Sequence, residues 1–225
     1  MSESSIQNYN HLKIHSQYSI CEGAIKIDDL TNFTKDNKLK SLALCDTSNL
    51  CGALEFSEKI SKVGTQPIIG TQINFKYNDS SGLIPLFALN EEGYKRIIEL
   101  SSLSFLKNDE ISDPHLELNE LLIKTEGVAI FSGTINGLFG QLFDKGKFKE
   151  IEELYLKLKS IYLDRFYIEI QRHGDNNESD FEKFNLSKSH NLEIPLIATH
   201  EVFYLDQKMY EAHDALLCIK NKTYV

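Results

Sequence analysis

Imidazole, carboxylate and small polar side chains recur at the ends of short β-rich runs in this sequence: His15, Asp46, Gln72, Ser132-Gly133-Thr134, Gln171-Arg172-His173 and Thr199-His200-Glu201. Imidazoles and carboxylates brought together from different strands would bind a metal such as zinc or manganese, because both supply the nitrogen and anionic oxygen donors those ions prefer. The same residue types have a plainer use, and taken singly each is more often structural than functional. Asp46 before Thr47-Ser48-Asn49 is a turn and helix-start signal. Cys21 and Cys51 have no base placed beside them and read as packing thiols rather than nucleophiles. Ser132-Gly133 followed by Gly137 lacks the spacing of a phosphate-cradling loop.

The elements that must position these groups alternate. About seven extended runs are expected: His11–His15, Ser41–Asp46, Pro67–Gly70, Leu83–Leu89, Val128–Phe131, Phe166–Gln171 and Pro195–His200. Between them lie apolar residues at helical spacing, such as Leu30, Phe33, Thr34 and Asn37 after Asp28-Asp29, and Ile151, Leu154, Tyr155 and Leu158. Met209 to Lys222 also has a helical pattern. Such alternation implies a mostly parallel sheet, closed as a barrel or open and doubly wound, in which functional groups gather at the C-terminal strand ends. No internal repeat or long linker interrupts it, and Lys107–Asp113 is the most loop-like stretch.

Composition narrows the function classes. The chain has 225 residues, 41% hydrophobic and 25% charged, which is enough to bury the core of one large domain. Its formal charge of −9 disfavours duplex binding, which depends on Lys and Arg neutralising phosphates. No apolar run approaches the roughly 18 residues of a membrane span, and the polar start MSESSIQNYN is no signal peptide; a cytoplasmic protein without a membrane partner is expected. Four cysteines without CxxC spacing argue against zinc and disulfide frameworks alike.

Collinear wording then points to a family. His11-Leu12-Lys13-Ile14-His15-Ser16-Gln17-Tyr18-Ser19, Cys45-Asp46-Thr47-Ser48-Asn49-Leu50-Cys51-Gly52-Ala53-Leu54-Glu55-Phe56, Gln66-Pro67-Ile68-Ile69-Gly70, Arg165 to Gly174 and Ile197-Ala198-Thr199-His200-Glu201 resemble the N-terminal polymerase-and-histidinol-phosphatase (PHP) domain of bacterial DNA polymerase III alpha subunits. The resemblance covers nearly the whole chain from His11. It implies an α/β fold, a distorted seven-stranded (β/α) barrel of the PHP type, with residues 1–10 disordered or extended and residues 11–225 forming a PHP domain that is a fragment of a longer polymerase chain.

Active members of the wider family hold two or three metal ions with His, Asp and Glu side chains. The resemblance carries those positions onto Lys13, His15, Glu22, Thr47, Gln72, Leu83, Thr134, Glu201 and Phe203. Six of the nine have lost their ligand: Lys13 for His, Thr47 for His, Gln72 for Glu, Leu83 for His, Thr134 for Cys or His, and Phe203 for His. A protonated ammonium donates hydrogen bonds and cannot coordinate. The expectation is a vestigial site with no catalytic residue and no cofactor in this domain, and with Asp46 and His173 as structural polar residues.

What the resemblance implies for function is a non-catalytic module of a replicase. Its partners would be the proofreading 3'–5' exonuclease subunit and the rest of the polymerase chain, with DNA, deoxynucleotides and magnesium met only by the full-length polymerase. The alternative is a retained metal-dependent phosphoesterase or 3'–5' exonuclease activity using zinc, manganese or iron. A third reading, an unrelated (β/α) barrel enzyme, would have no polymerase sequence downstream. A further expectation joins the first and last strands: Lys13 would reach the Glu201 carboxylate, with Glu22 as second acceptor, and stand in for the lost cation.

Overall fold

A computed structural model describes residues 9–108 and 112–224. Of the N-terminal ten residues expected to be disordered or extended, the first eight lie outside the described residues, as do residues 109–111 of the loop-like stretch. The chain divides into two compact units, one built from residues up to Gly70 and from His200 onward, the other from Thr71 to Thr199.

In the first unit the run Leu42-Ala43-Leu44-Cys45 is apolar on both faces, as suits a strand covered on both sides. It forms the buried middle of β2 (Ser41–Thr47). Beside it lies β1 (Lys13–Ile14), parallel to β2 with Ile14 opposite Leu44. Helix α1 (Ile27–Asp36) buries Ile27, Leu30 and Thr34, one stripe at helical spacing. Phe33, expected on that stripe, is exposed, and Asn37 ends the helix. Helix α2 (Ala53–Lys62) buries Ala53, Phe56 and Ile60. Ile14, Ile25, Ile27, Leu30, Leu42, Leu44, Phe56 and Ile60 make one core.

β3 (Gln66–Tyr77) begins in this unit and runs into the second, where it turns at Asn78-Asp79 into β4 (Ser80–Ala88). Asn78 takes a left-handed φ of 54°, which Asn tolerates in tight turns. This hairpin departs from strict strand–helix alternation, since two residues leave no room for a crossover helix. Helix α3 (Glu91–Leu106) follows, its first turn capped by the Asn90 side chain. Next come β5 (Leu116–Glu117) on β3, and β6 (Val128–Phe131), antiparallel to β4.

Helices α4 (Leu138–Asp144) and α5 (Phe148–Tyr162) lead to β7 (Phe166–Ile170), parallel to β6. All four residues predicted for the inner face of α5 are buried: Ile151, Leu154, Tyr155 and Leu158. Helix α6 (Glu178–Leu192) and β8 (Leu196–Ala198), parallel to β7, complete the second unit. Its strand order is β8-β7-β6-β4-β3.

The seventh expected run, Pro195–His200, holds β8 alone. After β8 the chain passes Thr199-His200 and forms β9 (Glu201–Val202), which pairs with β1 in the first unit. Helix α7 (Tyr210–Asn221) follows. Each of the seven predicted runs thus contains a strand, and the nine strands among the described residues include two outside those runs, β5 and β9.

Candidate functional site

β-strand side chains alternate, so Lys13 and His15, two apart, share a face. The parallel register sets Lys13 opposite Glu201. The expected pairing forms: the Lys13 ammonium lies 2.7 Å from Glu201 Oε1, its side chain 1% exposed against 23% for Glu201. An ammonium so far from water needs a compensating anion, and Glu201 supplies it.

His15 is fully buried, and burial above all pushes its pKa down to about 4; the Lys13 ammonium adds to this and the Glu201 and Glu22 carboxylates oppose it. Its Nε2 lies 3.9 Å from the same Glu201 oxygen and has no hydrogen-bond partner among the described residues. Phe203 stacks on the ring at 4.5 Å and 15°, and its other neighbour is His213 of α7, at 5.6 Å and 25°.

Glu22 turns elsewhere. One carboxylate oxygen accepts from the Thr47 hydroxyl at 2.7 Å and the other from Lys220 Nζ at 2.6 Å. Asp46 is buried and accepts from the Ser16 amide (2.6 Å), the Ser16 hydroxyl (2.8 Å) and the Ser19 hydroxyl (2.8 Å). Burial raises its pKa, and the hydrogen bonds from Ser19 and Ser16 pull the other way. The turn it holds is tight, for a side chain on Gly23 would meet the Ser16 carbonyl oxygen at 2.0 Å. Asp46 thus fastens the turn after β1 to the end of β2.

In the second unit Gln72 is buried on β3 and Leu83 is half-buried on β4. Gly133, at φ 83°, packs so close to the Leu83 carbonyl that an added Cβ would lie 2.8 Å from it. The Thr134 hydroxyl accepts from the Asn136 amide at 3.2 Å, a local turn contact. The His173 and Gly174 amides donate to the Glu178 carboxylate at 2.7 to 2.9 Å, which ties His173 to the start of α6.

Gln171 and Thr199, both among the strand-end candidates, meet in a buried cluster around Glu169, which was not among them. Glu169 Oε1 accepts from the Thr199 hydroxyl and from Gln171 Nε2 (3.0 Å), and Gln171 Nε2 also reaches Thr199 Oγ1 at 2.8 Å. The available signal was the alternation Glu169-Ile170-Gln171, which sets both polar side chains on one face of β7. His213 and Lys220 were missed as well, because nothing local links α7 to Glu22.

The residues present do not fit a metal cluster. In the first unit Lys13, which the resemblance aligns with the first ligand, is a buried ammonium paired with Glu201, and Thr47 and Phe203 offer a hydroxyl and a phenyl ring. Among the described residues, no group of three or more His, Cys, Asp or Glu could hold a metal ion.

The sequence model of the PHP domain family matches residues 11–173. The DNA polymerase III subunit alpha of Caulobacter vibrioides is 34% identical over 234 residues, covering 100% of this chain and 20% of that protein. The same subunit from Rickettsia felis is 37% identical over 210 residues, covering 93% and 17%. The chain therefore spans about a fifth of the length of these curated relatives. An amidohydrolase from Chromobacterium violaceum superposes with a TM-score of 0.56 at 11% identity, covering 92% of this chain and 96% of its own. A two-domain Bacteroides vulgatus protein described as PHP-like gives 0.56 at 14%, covering 86% and 51%. These likenesses concern the fold alone, and it is the expected one, an α/β fold of the PHP type.

Proposed function

We propose, from the premise that this chain belongs to the PHP domain family, that it serves a replicative DNA polymerase as a non-hydrolytic structural and docking module. The chain is homologous to DNA polymerase III alpha subunits over its full length. On this reading residues 11–225 are the PHP domain of such a subunit. The polymerase proper, with its magnesium, DNA and deoxynucleotides, belongs to the longer protein, and a proofreading exonuclease subunit docks on this module. Among the described residues no helix is long and apolar enough to cross a membrane.

The observation that carries the reading is the Lys13 ammonium, buried and 2.7 Å from Glu201. A divalent ion at that place would meet a fixed positive charge instead of an imidazole. The paired lysine instead recovers part of the desolvation cost of the carboxylate. The test is metal analysis of protein purified without chelator, with assays on a generic phosphodiester and on a DNA 3' end. Substoichiometric metal and no metal-dependent hydrolysis are expected. One tightly held zinc, manganese or iron per chain, or hydrolysis abolished by Glu201→Gln, would overturn the proposal.

A further inference from the structure

Helix α7 is tied to Glu22 in the first unit by polar contacts. Within it only His213 is buried; Leu216 and Leu217 are half-buried, and Tyr210 and Ile219 are exposed. A twelve-residue helix has little stability of its own and depends on what it packs against. Two of its contacts converge on one residue. Lys220 Nζ donates to Glu22 Oε1 at 2.6 Å, and His213 Nε2 lies 2.8 Å from the Glu22 backbone oxygen, to which it donates. His213 and Lys220 are seven residues apart, two turns along one face of the helix.

Glu22 is itself held in place. Its second carboxylate oxygen accepts from the Thr47 hydroxyl at the end of β2, and its own amide donates to the Ser19 carbonyl at 2.9 Å. The His213 ring packs on Phe203, which packs on His15, so the helix face also covers that aromatic stack. A metal on Glu22 would compete with Lys220 for the same carboxylate.

We propose that Glu22, an acidic ligand position in the family pattern, here serves as the latch that seats α7, with Lys220 as its bolt. The surviving carboxylates of the old site then each hold a lysine: Glu201 holds Lys13 from the neighbouring strand, and Glu22 holds Lys220 from the last helix. The inference rests on the preceding reading only in taking Glu22 to be free of metal.

Hydrogen–deuterium exchange of the intact chain, followed in peptides covering residues 210–221, tests it. Lys220→Met, a change at a half-exposed side chain that leaves the core intact, is expected to speed exchange across α7 by about fivefold while β2 and α2 keep their protection. The reversed pair Glu22→Lys with Lys220→Glu should restore most of that protection, and Lys208→Met, an equal charge change just before the helix, should leave α7 unaltered. Unchanged α7 exchange in Lys220→Met, or acceleration spread equally over β2 and α2, would overturn the latch. Metal found on the wild-type protein would sink the preceding proposal and still leave these exchange outcomes decisive for this one.

Discussion

Two strand-end carboxylates, one in each unit, are handled differently. Glu201 in the first unit meets a buried ammonium; Glu169 in the second, 2% exposed, accepts from the Thr199 hydroxyl and the Gln171 amide. An ammonium is a compact charge whose attraction needs proximity more than direction. A hydroxyl and an amide bring no charge and must be aimed. Losing the first removes a positive charge from beside a carboxylate, whereas losing one of the second leaves a hydrogen bond unmade. The two losses differ in size.

The largest effect is expected at the ion pair. Lys13→Met should lower unfolding stability by about 3 kcal/mol, because Glu201 loses the buried ammonium 2.7 Å from it. The double variant Lys13→Met with Glu201→Leu should recover much of that. Denaturant titration of both proteins checks it; a double variant as unstable as the single would show that packing rather than charge carries the loss.

Next comes the pH response of the buried imidazole beside that pair. His15 titrates at about 4 in the folded chain against an ordinary 6.5, so between those values the unfolded chain takes up a proton that the folded chain refuses. Stability is therefore expected to fall as pH drops from 6.5 towards 4, by on the order of 2 to 3 kcal/mol from this group. His15→Gln should flatten the curve in that window, and an unaltered pH profile would count against a neutral buried His15.

A smaller loss is expected in the second unit. Thr199→Val removes the hydroxyl shared by Glu169 and Gln171 and should cost about 1.5 kcal/mol. Thermal melts of Lys13→Met and Thr199→Val side by side sharpen the comparison, and equal losses would erase the distinction between charged and neutral partners. The smallest effect belongs to the surface pair Arg172–Glu182, two-pronged at 2.7 and 2.9 Å but with Arg172 79% exposed. Arg172→Ala should leave Tm unchanged within error, since solvent screens the pair.

Much of the fold was legible because its signals are local. The continuous apolar run of β2 and the buried stripe of α5 follow from periodicity. The β3–β4 hairpin was not, because Asn78-Asp79 resembles an ordinary loop until its left-handed turn is seen. The break at Thr199 was also hidden, since Leu196 to Val202 is extended on both sides of it and only pairing partners distinguish β8 from β9.

The amino-acid sequence by itself determined the chemistry available at the site. Lys13 cannot coordinate while protonated, Leu83 and Phe203 offer no donor, and His15, Glu22 and Glu201 keep one at positions that the resemblance assigns to ligands; donor chemistry is a property of side chains and needs no coordinates. Lys13 and Glu201 were paired by taking the first and last strands of the barrel that the resemblance implies as neighbours. Which cation Glu22 would meet was decided only by tertiary structure, for it pairs with Lys220, 198 residues away, and not through the strand neighbours that the sequence offered. Ion pairing acts over a few ångströms and is indifferent to separation along the chain. The choice of partner therefore waits on where α7 docks.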